Sequence, residues 1–133
     1  MSEVNAPQGR KKYGSVWTGS EYIVWGGTLA NDKETNTGGI YDPEINQWFS
    51  MTTEGAPTAS DYSVAVWTGT HVIFWSTSGG ALYNPETDTW TPLRTNNSPS
   101  GQRTRPLAVW TGSQLIILGG NNSAMNTGGI WTP

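Results

Sequence analysis

Cationic side chains are concentrated in two short segments of an otherwise acidic chain. Five of the seven Lys and Arg residues precede a Trp-Thr-Gly phrase, and these are Arg10, Lys11, Lys12, Arg103 and Arg105. The corresponding segment before a third such phrase carries Ser60, Asp61 and Tyr62. Guanidinium and ammonium groups bind carboxylates and phosphates through charge-assisted hydrogen bonds. If the fold brings the three segments together, we expect an anion-binding site formed by Arg10, Lys12, Asp61, Tyr62, Arg103 and Arg105.

An internal repeat defines the elements that must position these side chains. The Trp-Thr-Gly phrase and the apolar run after it begin at Trp17, Trp67 and Trp110, with spacings of 50 and 43 residues. A second phrase follows each of them, in the forms GGIYDP, GGALYNP and GGIWTP. Similarity at such a period is the sequence signature of a repeat architecture.

Each repeat is predicted to contain up to four short strands. Runs rich in Val, Ile and aromatic residues, bounded by Gly, Pro and Asn, are typical of strands. Strand A is predicted at 15–18, 64–68 and 107–111, and strand B at 22–25, 72–75 and 115–118. Strand C is predicted at 39–41, 81–83 and 129–131, and strand D at 47–51 and 89–93. The Thr-Gly-Ser/Thr links place glycine where a hairpin turn needs a positive φ.

These units resemble kelch repeats, the blades of a β-propeller. The resemblance covers nearly the whole chain and rests on Gly26-Gly27, Tyr41-Asp42-Pro43, Trp48, Tyr83-Asn84-Pro85, Trp90 and Gly119-Gly120. Two departures are Trp75-Ser76, where a glycine pair is expected, and a third repeat that reaches Pro133 without a strand D. The resemblance implies an all-β, single-domain chain (1–133) of four-stranded antiparallel blades at about 10–52, 60–94 and 103–133, the last lacking its outer strand.

Three blades do not close a ring, because propellers typically have four to eight. We therefore expect a homodimer that completes a six-bladed ring, with residues 14–17 of one chain beside the third blade of the other, twice. Glu3 and Val4 of the second chain could substitute for the missing outer strand. The alternative is a fragment whose remaining blades lie elsewhere.

The resemblance also bears on function, since kelch propellers are mostly interaction modules. It implies a non-catalytic binding or scaffold module without a cofactor, which presents its loops to a protein or to a small anionic or sugar ligand. In a propeller the segments before strand A share a face with the B–C loops, and this would bring the residues of the candidate site together.

Two alternative functions stay open. One is an enzyme for a small anionic or sugar substrate, with Arg10, Arg103 and Arg105 as clamps and Asp61 as acid or base. The other is an engineered or fragment half-propeller with no specific ligand.

Composition narrows the function classes. A net charge of −3 and a pI near 4.9 disfavour nucleic-acid binding. No apolar run approaches the ~20 residues that a membrane span needs. The chain has no cysteine and a single histidine, His71, so we expect no disulfide and no metal site. No apolar secretory segment is visible near the N-terminus; the compartment is left open, with the cytoplasm slightly favoured.

Tryptophans recur at matching positions of the repeats. Trp17, Trp67 and Trp110 form one set, and Trp48 and Trp90 form another. This regularity predicts packing between blades and disfavours stacking on a sugar ligand. Trp131 is the exception, because without a strand D beside it we expect its side chain to be exposed at the dimer contact.

Overall fold

Short antiparallel strands make up the fold. The computed structural model describes residues 1–76, 79–93, 103–120 and 126–133, and these residues are all-β, with 45% strand and 0% helix. In chain order the strands are β1 (Arg10–Lys11), β2 (Gly14–Trp17), β3 (Tyr22–Trp25), β4 (Thr28–Leu29), β5 (Gly38–Asp42), β6 (Gln47–Ser50), β7 (Val64–Trp67), β8 (Val72–Ser76), β9 (Gly79–Asn84), β10 (Thr89–Pro92), β11 (Leu107–Trp110), β12 (Leu115–Leu118) and β13 (Gly128–Trp131).

Each sequence repeat forms one antiparallel sheet. Sheet 1 has the order β2-β3-β5-β6, sheet 2 the order β7-β8-β9-β10, and sheet 3 the order β11-β12-β13. The predicted strands A to D are confirmed, with ends that differ by at most two residues. Sheet 3 has three strands within the described ranges. A further pair, β1 with β4, joins the segment before β2 to the loop after β3.

The Trp-Thr-Gly phrase forms the turn between the first two strands of each sheet. Thr18 Oγ1 accepts a hydrogen bond of 3.0 Å from the Glu21 amide, and Thr68 and Thr111 make the same bond to the third residue after them. The glycine that follows the threonine has a φ of 102° to 110° in all three turns. A side chain would be strained at such an angle, which explains why this three-residue phrase recurs.

The core lies between consecutive sheets. Sheets 1 and 2 bury an aromatic cluster in which the ring centroid of Trp25 lies 5.5 Å from that of Phe74 and 5.4 Å from that of Trp90. Sheets 2 and 3 bury a second cluster of Ile73, Trp75, Leu93, Leu115, Ile117 and Trp131. Strand β7 contacts both β2 and β11, so the first strands of the three sheets are neighbours in sequence order.

The tryptophan predictions have mixed outcomes. Trp67 and Trp110 are partly buried against the clusters between sheets, as predicted. Trp17 is 52% exposed, because it lies on the side of sheet 1 that faces away from sheet 2. The expectation for Trp131 is wrong: its side chain is only 4% exposed. The second face of sheet 2 covers it, and that packing does not depend on a neighbouring strand D.

A tryptophan in the last strand of sheet 1, and another in the last strand of sheet 2, binds the segment that precedes that repeat in the chain. The Trp90 indole donates a 2.9 Å hydrogen bond to the carbonyl of Thr52, which follows sheet 1 in the chain. The Trp48 indole makes the same contact, at 3.0 Å, to the carbonyl of Ser2. The first residues of the chain therefore lie against sheet 1 in the way that the linker after β6 lies against sheet 2.

Candidate functional site

Arg10 fastens the loop between β3 and β5. Its guanidinium donates to the carbonyls of Gly26 (3.0 Å) and Thr37 (2.6 Å) and to Thr37 Oγ1 (3.2 Å). Its Nε donates to the Gln8 carbonyl at 3.0 Å. Burial lowers the pKa of Arg10, although the nearby Tyr13 opposes this. The planar fork of arginine suits this arrangement, because it binds two or more acceptors at once.

Arg103 makes the equivalent contacts in the third repeat. Its guanidinium donates to the Gly119 carbonyl (2.8 Å), the Thr127 carbonyl (2.8 Å) and Thr127 Oγ1 (3.0 Å). The residue is only 3% exposed. The terminal nitrogens of Arg10 and Arg103 thus bind acceptors within their own repeats, although the buried Nε of Arg103 has no hydrogen-bond partner among the described residues. These contacts make the two residues parts of the framework on which a binding surface can form.

A second set of equivalent positions lies five residues before the Trp of each Trp-Thr-Gly phrase. These positions hold Lys12, Tyr62 and Arg105. Each has a left-handed backbone, with φ values of 60°, 52° and 55° respectively. Such angles are uncommon for residues other than glycine and are found preferentially at functional sites. The Tyr62 amide also donates a 2.8 Å hydrogen bond to the Lys12 carbonyl, which ties repeat 2 to repeat 1.

These three side chains lie together. Lys12 Nζ is 4.5 Å from the centroid of the Tyr62 ring, and Arg105 Cζ is 5.0 Å from it. Both distances are within the range of a cation–π interaction. Asp61 completes the group, because its Oδ2 lies 3.2 Å from Lys12 Nζ. We call Lys12, Asp61, Tyr62 and Arg105 the cationic cluster.

Interactions within the cationic cluster shift the pKa values of Tyr62 and Lys12. The pKa of Tyr62 is lowered from its ordinary value, chiefly because the Lys12 ammonium stabilises the phenolate as a hydrogen-bond donor, and further by the charges of Lys12 and Arg105. The pKa of Lys12 is raised, first through Tyr62 and then through Asp61. The cluster therefore favours negative charge at the phenol oxygen.

The six predicted site residues thus separate into two groups. Four of them form the cationic cluster, whereas Arg10 and Arg103 donate to main-chain carbonyls and threonine hydroxyls of their own repeats. Sequence reasoning missed this framework role. A signal for it exists: Arg10 and Arg103 occur in the repeats that have a glycine pair after strand B, and repeat 2 lacks both the arginine and the pair.

A cavity of about 450 Å³ lies at the other end of strands β2 and β7, between sheets 1 and 2. Trp67, Glu21, Glu86 and His71 are among its lining residues. The pKa of Glu21 is raised, mainly by burial and also by the nearby Asp42. His71 lies at a turn and its Nδ1 contacts Thr70 Oγ1 at 3.0 Å.

Across 1–76, 79–93, 103–120 and 126–133, no group of three or more His, Asp or Glu side chains could hold a metal ion. No helix in those ranges is long and apolar enough to cross a membrane. Comparison with protein-family models finds no match for the chain, and comparison with curated proteins finds none either.

Proposed function

We propose that the chain is a kelch-like half-propeller that serves as a non-catalytic binding module and pairs with a second copy in a six-bladed ring. The observation that carries this proposal is an exposed apolar face on sheet 3. It consists of Leu107, Val109, Ile116, Leu118 and Ile130. Leu107 and Val109 are 73% and 57% exposed. Five large apolar side chains on one sheet face are typical of a surface that is covered by a partner.

The equivalence of the three repeats supports a second copy of the chain as the partner. In sheet 2 the matching positions are Val64, Val66, Ile73, Trp75 and Leu82, and sheet 3 packs against all five. In sheet 1 the matching residues include Val16, Ile23, Trp25 and Ile40, and sheet 2 packs against them. Each such face is therefore covered by the next repeat along the chain. The first sheet of a second copy offers a surface of the same kind.

The surface of sheet 1 that would contact sheet 3 of the second copy faces away from sheet 2. Trp17 lies there and matches Trp67 and Trp110, which fill the contacts between sheets within one chain. A twofold dimer would form this contact twice and leave neither face exposed. Closed symmetry of this kind is the usual outcome for homo-oligomers.

Binding is proposed at the end of the sheets where the cationic cluster lies. The cluster is reached from solvent, since Lys12 and Arg105 are exposed, and it combines charge with an aromatic ring. The enzyme hypothesis has no comparable support within the described residues. Asp61, its acid or base, is paired with Lys12, and the proposed clamps Arg10 and Arg103 donate to carbonyls.

Light scattering coupled to size exclusion tests the assembly. We expect a sharp species near twice 14.4 kDa. Val109→Asp should give a monomer with an unchanged circular dichroism spectrum, because a carboxylate would be buried in the contact. Ile45→Asp is the matched control, since Ile45 is 53% exposed in the turn before β6 and should leave the dimer intact. A wild-type chain that stays monomeric at high concentration would refute the dimer.

A further inference from the structure

Three hydrogen-bond donors of different chemistry meet at the cationic cluster. Lys12 contributes an ammonium, Tyr62 a hydroxyl and Arg105 a guanidinium, and both cationic groups lie within 5.0 Å of the Tyr62 ring centroid. Lysine binds an anion as a compact charge, whereas arginine offers a planar fork of donors. The group is therefore chemically suited to an anion with several acceptor oxygens.

The main chain holds these donors in place. Lys12, Tyr62 and Arg105 each adopt a left-handed backbone two residues before the first strand of a sheet. The Tyr62 amide is bonded to the Lys12 carbonyl, so the first two positions cannot separate without breaking a main-chain hydrogen bond. A site whose geometry is fixed before binding loses less entropy when a ligand arrives.

Charge at the cluster is positive even though the protein is acidic. Asp61 offsets the charge of Lys12, while Arg105 contacts the Tyr62 ring. The ion pairs of the described residues do not include Arg105, so its positive charge is not offset by a carboxylate. Such a local excess of one sign attracts an oppositely charged ligand.

We propose that Lys12, Tyr62 and Arg105 bind the phosphate group of a small ligand. A phosphate monoester presents three terminal oxygens, one for each donor group, and carries nearly two negative charges at neutral pH. A carboxylate can also accept several hydrogen bonds, but it carries a single negative charge and two oxygens in one plane, so we expect the same three groups to bind it less tightly. This inference rests on the proposed binding role of the cluster, but all three residues belong to one chain, so the site is complete in a monomer as well as in a ring.

Titration with inorganic phosphate, followed by amide NMR shifts of the full chain, tests the proposal. We expect saturable shifts at residues 12, 62 and 105 that sodium chloride of equal ionic strength does not cause. Arg105→Gln should weaken the affinity at least about fivefold, because it removes a charged donor. Tyr62→Phe should weaken it less, since the ring remains. Lys33→Gln removes the same charge from an exposed site in the loop after β3 and should leave the affinity unchanged.

Three results would overturn the proposal. They are shifts that follow ionic strength alone, phosphate affinity that survives Arg105→Gln, and acetate or citrate binding at least as tight as phosphate. The molar mass of the same samples separates this inference from the ring. A dimer that does not bind phosphate refutes the site alone, and a monomer that binds it refutes the ring alone.

Discussion

Replacing Arg103 with alanine should destabilise the protein strongly. The guanidinium is buried and donates three hydrogen bonds of 2.8 to 3.0 Å, two of them to carbonyls. A hydrogen bond from a charged donor contributes about 1.5 kcal/mol at the lower end of its range. Three such bonds, less some rehydration of the exposed Thr127, give a loss of about 3–5 kcal/mol in the free energy of unfolding. For a chain of this size that corresponds to a Tm lower by roughly 10–20 °C.

Urea denaturation monitored by tryptophan fluorescence measures this loss, and two other arginines provide graded controls. Arg10 makes the same contacts from a less buried position, so Arg10→Ala should cost about 1–2 kcal/mol. Arg105 is exposed, and Arg105→Ala should change stability by no more than about 0.5 kcal/mol. Arg103→Lys keeps the charge but loses the fork and should recover less than half of the loss.

The order of the urea midpoints of the three alanine variants tests the framework role of Arg103. If Arg103→Ala and Arg105→Ala have the same midpoint, the carbonyl contacts of Arg103 do not hold the loop and the framework role is wrong. If Arg103→Lys equals the wild type, charge alone matters and the argument from the arginine fork fails.

Three further predictions concern titration and backbone geometry. Tyr62 should ionise at a lower pH than an ordinary tyrosine in a spectrophotometric titration, and Lys12→Gln should move that pKa upward; an unchanged titration would count against the contact. Burial and Asp42 disfavour the ionised form of Glu21 and raise its pKa. The protonated side chain carries no such cost below the unfolded pKa, and the cost appears as the pH rises through the folded pKa. Glu21→Gln should therefore stabilise the protein by up to about 0.5 kcal/mol at neutral pH and not in acid. Gly27→Ala should lower stability by at least about 1–3 kcal/mol in thermal melts, because φ is +89° and a Cβ would lie 2.6 Å from the Lys11 carbonyl oxygen.

Much of the strand order could be predicted from the sequence, because its causes are local. Apolar runs, Trp-Thr-Gly turns and Asx-Pro pairs each act over a few residues, and three copies in the same order reinforce one another. The extra length of β8 could not be predicted in this way. The strand register aligns Trp75 with Trp25, so Ser76, and not Trp75, stands at the first position of the expected glycine pair. Ser76 stays in the strand opposite Gly79, because only two residues separate them in the sequence.

The candidate site could be predicted only as a list of residues. Position relative to the Trp-Thr-Gly phrase brought out Lys12, Tyr62 and Arg105, and the structure places these side chains together. Sequence position alone could not separate these three residues from Arg10 and Arg103. Most acceptors of those arginines are main-chain carbonyls, which every residue has, so the residue types alone do not show which arginine binds them.

The sequence by itself thus determined an all-β chain of three repeats, since strand and turn preferences depend on near neighbours. Tertiary structure alone decided which face of each sheet is covered. Trp131 is buried because sheet 2 lies against it, while Val109 is exposed because no sheet formed by the described residues lies on its side. Both side chains are apolar and both belong to sheet 3, so the difference arises from the order in which the sheets pack.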